Sequence, residues 1–171
     1  DAEVILWGDA EDDAAGYAVT AADLDGDGYD EMIVTAYGQE TTSLDSSTDD
    51  LSNAGQVYVF YGSSDADTAL GTEVSLSDHA EGLLSGIEEE VHFGCALANA
   101  GDINGDNRDD LLIGSCISGS PGSATLIYGS ESRFSGEVYP QDEAGNETGG
   151  YAHWLGEGND DRTGESLSGL G

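Results

Sequence analysis

Lysine is absent from the chain, and its three arginines (Arg108, Arg133 and Arg162) stand against 36 aspartates and glutamates in 171 residues. A formal charge of −33 excludes nucleic acid and anionic lipid as natural electrostatic partners. So few basic groups point to a secreted or salt-adapted protein, in which bound cations offset part of the self-repulsion. No run of about 18 apolar residues occurs, so membrane insertion is not expected. The chain opens at Asp1 without a signal peptide and reads as a mature or excised product. Histidine is scarce as well: His79, His92 and His153 show no metal-ligand spacing such as His-Glu-x-x-His, and there is no Gly-x-Ser-x-Gly elbow. Catalysis is therefore not expected, although a glycosidase pair could sit among so many acids.

What the chain does have is aspartate in a repeated arrangement. Asp23-Leu-Asp25-Gly-Asp27-Gly-Tyr29-Asp-Glu31 and Asp102-Ile-Asn104-Gly-Asp106-Asn-Arg108-Asp-Asp110 lie 79 residues apart. Carboxylates at positions one, three and five of a tight turn repel one another by roughly a few kcal/mol per close pair, so the crowding calls for a cation. Calcium, a hard ion that takes about six to eight oxygens, suits it. The expected ligands are Asp23, Asp25, Asp27, the main-chain oxygen of Tyr29, and Glu31 in the first loop. In the second they are Asp102, Asn104, Asp106, the main-chain oxygen of Arg108, and Asp110, giving two Ca2+ per chain. Position six needs a positive φ, which Gly28 adopts freely and Asn107 tolerates. An EF-hand would need a bidentate Glu at position twelve and flanking helices. Val34 and Ile113 stand at position twelve, and the flanks Tyr17-Ala-Val-Thr-Ala-Ala and Met32-Ile-Val-Thr-Ala read as strands.

The repeat extends beyond the loops. Gly8, Gly86 and Gly156 each end an apolar stretch, and each is followed eight residues later by Gly16, Gly94 or Gly164. A second strand follows each loop, and then a third, Gly55-Gln-Val-Tyr-Val-Phe-Tyr-Gly62 or Gly122-Ser-Ala-Thr-Leu-Ile-Tyr-Gly129. The third strands are only 67 residues apart, so the first copy carries 12 extra residues within 37–54, a polar stretch expected to be an exposed loop, a solvated insertion or, as the alternative, a partner-binding one. The fourth strand is either Glu73-Val-Ser-Leu76 with its counterpart around Glu137-Val-Tyr139, or the later stretch ending at Gly86 and Gly156. Cys95 lies seven residues before the second loop and Cys116 six after it, so the two could face each other across neighbouring strands. A disulfide is the expectation and two buried thiols the alternative; a disulfide would indicate an oxidising compartment. Asn146-Glu-Thr148 fits the glycosylation sequon.

Four short strands per repeat, with glycine punctuation, describe blades of a β-propeller. Phe93-Gly94, Gly101-Asp102-Ile-Asn-Gly-Asp106 and Asp110-Leu-Leu-Ile-Gly114 resemble the FG-GAP repeat of integrin α-subunit propellers and many secreted bacterial proteins. Gly16, Asp23-Leu-Asp-Gly-Asp-Gly28 and Met32-Ile-Val34 repeat the resemblance, with Tyr17 following the glycine, Ala15 in place of phenylalanine before it, and Glu31 in place of aspartate. The resemblance implies an all-β fold of four-stranded antiparallel blades, about two and a piece, either open or completed by neighbouring chains. It divides the chain into an outer strand and acidic linker of a preceding blade (1–15), a first repeat (16–93), a second (94–163) and the start of a truncated third (164–171). It also implies a calcium-braced, non-catalytic extracellular module of adhesion or assembly whose partner is another protein, or a further copy of itself, joined through open strand edges. A self-assembling surface filament or layer is one alternative. A lectin-like glycan binder using Trp7, Tyr151 or Trp154 is another, although packing between blades is the expected role of these aromatics.

Overall fold

Small and β-branched residues flank each aspartate loop, and both loops become the turn of an antiparallel strand pair. The structure is a computed structural model and describes residues 5–42, 50–64, 73–116, 120–140 and 150–169. A short strand, β1 (Ile5–Trp7), leads into β2 (Ala15–Ala22); the first loop then turns into β3 (Glu31–Ala36). β4 (Thr41–Thr42) and β5 (Asp50–Leu51) pair with each other before β6 (Gln56–Phe60), β7 (Glu73–Ser75), the single turn α1 (Leu76–His79) and β8 (Gly82–Ser85). The second repeat follows as β9 (Phe93–Gly101), β10 (Asp110–Ser115), β11 (Ser123–Ile127), β12 (Gly136–Val138) and β13 (Tyr151–Leu155).

Two antiparallel meanders result, β2-β3-β6-β8 and β9-β10-β11-β13, and neither sheet closes on itself. The fourth strand of each blade is therefore the stretch ending at Gly86 or Gly156. The stretches around Glu73 and Glu137 do something else: each crosses to the preceding outer strand and pairs with it in parallel. β7 lies along β1 and β12 along β8.

The main core lies between the two blades. Leu24, Ile33, Val57, Val59 and Leu84 of the first meet Val91, Phe93, Leu111, Ile113 and Ile127 of the second, with Phe134 beside them. Each such fully buried aliphatic side chain contributes about 1.5–3 kcal/mol relative to exposure. A smaller cluster of Val34, Ala36, Tyr58, Phe60 and Leu76 covers the opposite face of the first blade, with Leu6 and Leu83 packed on it. Gly55 and Gly122, at φ +85° and +72°, let the next repeat approach so closely that a Cβ would collide with the Phe93 carbonyl in one case and the Thr163 carbonyl in the other. Cys95 and Cys116 are joined by a disulfide across β9 and the end of β10, with Cα atoms 6.0 Å apart. Closing a loop of this length contributes about 3 kcal/mol in the chain-entropy description.

The structure corrects one expectation. The polar insertion is not simply an exposed loop: its ends form β4–β5, Thr41 is buried with its hydroxyl donating to the Gly86 carbonyl at 3.0 Å, and Leu51 packs on the main core. A polar stretch hid this role because its anchors are single residues without periodicity. Trp7 is 54 %, Tyr151 39 % and Trp154 50 % exposed in the two-blade unit. All three sit on outer strands. Asn146-Glu-Thr148 lies outside the described residues.

Candidate metal centre

The first loop owes its shape to its own carboxylates. Asp23 accepts the Gly26 N–H at 2.9 Å and the Gly28 N–H at 3.0 Å. Asp25 accepts from Asp27 N–H and Asp27 from Tyr29 N–H. Gly28 takes φ +89° to allow this curl. The three side chains turn inward together, each offering an oxygen within 4.8 Å of the others. Tyr29, next along, is half exposed.

Glu31 sits at the start of β3 and is fully buried. Its Oε2 accepts the Leu24 N–H at 2.6 Å, while Oε1 has no hydrogen-bond partner. Burial, with smaller contributions from the Asp25 and Asp23 charges, pushes its pKa from the ordinary 4.5 up to about 7, against the pull of the Leu24 and Gly62 N–H groups. It stands beside the Asp23, Asp25 and Asp27 group without joining it.

A cation already faces this cluster. Arg133, from the segment between β11 and β12, places Nε 2.6 Å from Asp25 Oδ2 and Nη2 3.0 Å from Asp27 Oδ2. Its guanidinium lies over the Tyr61 ring, 4.6 Å from the centroid. Nothing in the sequence singled out Arg133, which is 108 residues from Asp25. The one available signal was the scarcity of cations, since a lone arginine in so acidic a chain will seek the densest negative charge.

The second loop repeats the curl with a different electrostatic balance. Asp102 accepts N–H groups from Gly105, Asp106 and Asn107, the last at φ +66°. These bonds, the one from Asn107 foremost, hold the Asp102 carboxyl below its ordinary pKa. Asn104 accepts from Asp106 N–H through Oδ1 and donates to Asp106 Oδ2 through Nδ2. Arg108 Nη1 lies 3.2 Å from Asp106, and Nη2 lies 2.6 Å from Glu131. Buried Asp110 is satisfied on both oxygens, Oδ2 by Ile103 N–H at 2.9 Å and Oδ1 by Gly129 N–H at 3.0 Å. Among the described residues, the gathered carboxylate set belongs to the first loop.

The loops touch. Asp109 N–H donates to the Asp23 carbonyl at 2.9 Å, Asp23 N–H donates to Asp109 Oδ2 at 3.2 Å, and Asn99 donates to the same oxygen at 2.7 Å. Both turns therefore occupy one rim of the two-blade unit. The donor set of the first loop suits a hard divalent ion: several carboxylate oxygens within reach of one another, a buried unpartnered oxygen beside them, and a guanidinium drawn to the same charge.

Comparison with known proteins yields three kinds of likeness. A family model for the FG-GAP repeat matches residues 15–60. The chain is 34 % identical over 121 residues to the mouse (Mus musculus) phosphatidylinositol-glycan-specific phospholipase D, covering 68 % of this chain and 13 % of that protein. It is 33 % identical over 116 residues to integrin alpha-PS3 of Drosophila melanogaster, covering 68 % and 9 %, and 30 % identical over 105 residues to integrin alpha-5 of Xenopus laevis, covering 61 % and 9 %. The chain thus spans roughly a tenth of the length of these relatives.

Proposed function

Because the chain belongs to the FG-GAP repeat family, we propose that it is a calcium-binding, calcium-stabilised module of extracellular adhesion or assembly without catalytic activity of its own. The observation that carries this reading is the convergence of Asp23, Asp25 and Asp27 beside the buried, half-satisfied Glu31. These four would hold one ion together with the Tyr29 carbonyl; Asp102, Asn104, Asp106, the Arg108 carbonyl and Asp110 would hold a second. A bound calcium supplies positive charge that turns mutual carboxylate repulsion into shared coordination. This chain's residues do the rest: each loop fixes the turn between the first and second strands of a blade, and the Asp23–Asp109 contacts pass that order to the neighbouring turn. The mechanism is structural, with 16–93 and 94–163 as the repeats it would brace.

The likeness to integrin α-subunits supports an adhesion role at the cell surface or outside the cell, with a protein partner. The likeness to a phospholipase D supports only that such repeats also accompany enzymes, since the shared stretch is 13 % of that protein. No helix among the described residues is long and apolar enough to cross a membrane. Calorimetric titration of chelator-stripped protein with calcium tests the reading. Two saturable sites are expected, about micromolar to millimolar as extracellular modules tend to be; absence of saturable binding would leave the loops as acidic turns and overturn it.

A further inference from the structure

β7 and β12 are equivalent straps in equivalent places. Each lies between the third and fourth strands of its blade and reaches back to the outer strand of the blade before. Their registers coincide: Glu73 is opposite Ile5 and Val74 opposite Leu6, while Glu137 is opposite Leu83 and Val138 opposite Leu84. Ile5 and Leu83 both stand three residues before the glycine that ends their strand, Gly8 or Gly86. The same Glu-Val pair therefore meets the same two positions twice.

β13 presents those positions a third time, as His153 and Trp154 ahead of Gly156. The joint that follows it is also reproduced. Gly156 N–H donates to the Gly122 carbonyl as Gly86 N–H donates to the Gly55 carbonyl, and Thr163 N–H donates to the Pro121 carbonyl as Phe93 N–H donates to that of Ala54. What differs is the edge. β11 pairs with one side of β13, and no described strand pairs with the other. Leu84, under Val138, is fully buried, whereas its counterpart Trp154 is 50 % exposed.

We propose that the outer edge of β13 receives, in parallel, the strap of a further FG-GAP repeat: an extended segment carrying glutamate opposite His153 and an aliphatic residue opposite Trp154. Strand addition of this kind takes its affinity from main-chain hydrogen bonds and its register from alternate side chains. The aliphatic residue covers the indole as Val138 covers Leu84. The glutamate has polar groups to meet. On β8, Glu137 accepts from the Ser85 hydroxyl at 2.7 Å and from Gln56 Nε2 at 3.4 Å. On β13 the corresponding side chains are Leu155 and Ser123, and His153 supplies the polar atom that Leu83 lacks. His153 Nδ1 is 2.9 Å from the Thr125 hydroxyl, so Nε2 is the ring atom an incoming carboxylate would meet, beside the Glu88 charge that already acts on the ring. The proposal rests on the repeat and not on the metal.

The test is a titration of isotopically labelled protein with a capped peptide of the chain's own strap sequence, Ser-Gly-Glu-Val-Tyr-Pro (135–140), followed by NMR in calcium and again in chelator. Saturable shifts at the amides of 152–156 and at the Trp154 indole are expected in both conditions, with a Kd of about 1–10 mM. A spin label on the peptide N-terminus should broaden Ala152, and one on its C-terminus Gly156. Trp154→Ala should weaken binding about tenfold, whereas Trp154→Leu, which copies Leu84, should retain it. Replacing the peptide glutamate by lysine should weaken binding although the protein is strongly acidic. Reversed broadening, tighter binding of the lysine peptide, or no shift at about 10 mM would overturn the proposal. So would concentration-dependent broadening of β13 without peptide, which would assign the edge to a second copy of the chain.

Discussion

The two aspartate loops share a backbone curl and differ in how their charge is settled. In the second, asparagine replaces one aspartate, Arg108 leans on Asp106, and Asp110 is satisfied by two backbone N–H groups. In the first, three aspartates converge, Glu31 keeps one buried oxygen unpartnered, and the neutralising Arg133 is borrowed from the next repeat. A loop that settles its own charge can hold its shape without help; one that does not gains more from a bound cation. We therefore expect the first loop to depend on calcium for stability and the second to depend on it much less.

The largest effect separating them is stoichiometric. Asp25→Asn with Asp27→Asn should reduce the calorimetric count from two calcium ions to one while the second site remains, and Asp102→Asn with Asp106→Asn should do the reverse. If either pair removes both ions, the loops form one coupled site and the contrast fails.

Acidity separates them next. The folded-state pKa of Glu31 is raised, so the calcium-free fold binds more protons than the unfolded chain between about 4.5 and 7. Its contribution is therefore full below about 4.5 and is lost as the pH rises through about 7, by a few kcal/mol at most. Denaturant melts of chelated protein across that range should show the fall, and Glu31→Gln should flatten it. Added calcium should restore stability at the upper end by taking the carboxylate as a ligand.

Position nine gives a direct pairwise contrast. Asp110→Asn places an amide group where an acceptor met a backbone N–H and should lower stability by about 1–3 kcal/mol. Glu31→Gln in calcium-free protein should be neutral or stabilising at pH 8, since it removes a buried charge and keeps an acceptor for Leu24. Similar losses in both melts would show that the two positions play one role. The smallest expected effect belongs to the arginines: Arg133→Gln should tighten calcium at the first loop about three- to tenfold by removing a competing cation, with a discount for its partial exposure, and leave the second unchanged.

Much of this could be read from the residues. The curl at each loop follows from aspartates spaced two apart with Gly28 or Asn107 at the turn, and the blade order follows from third strands that align residue for residue. The straps were visible as Glu73-Val74 and Glu137-Val138, but the choice between strap and fourth strand stayed open. Three-residue strands carry too little periodicity to decide it, and the deciding fact is a parallel register set by distant residues. Arg133 was illegible for a similar reason: its contact with Asp25 is tertiary, and no local pattern marks a side chain that crosses from one repeat to another. The inward turn of Glu31 was hidden because ligand spacing assigns a residue to a loop without saying which of its oxygens the backbone will claim.

The direction of the straps has a consequence for how the array comes apart. The outer strands β1 and β8 are each sealed by the strap of the repeat that follows, β7 or β12, so dependence between repeats runs one way. Losing a repeat uncovers the one before it and leaves the one after it sealed. Such an array frays toward its beginning, like shingles lifted from the last course laid, and a protease or hydrogen-exchange experiment would record a gradient of protection with a fixed polarity along the chain.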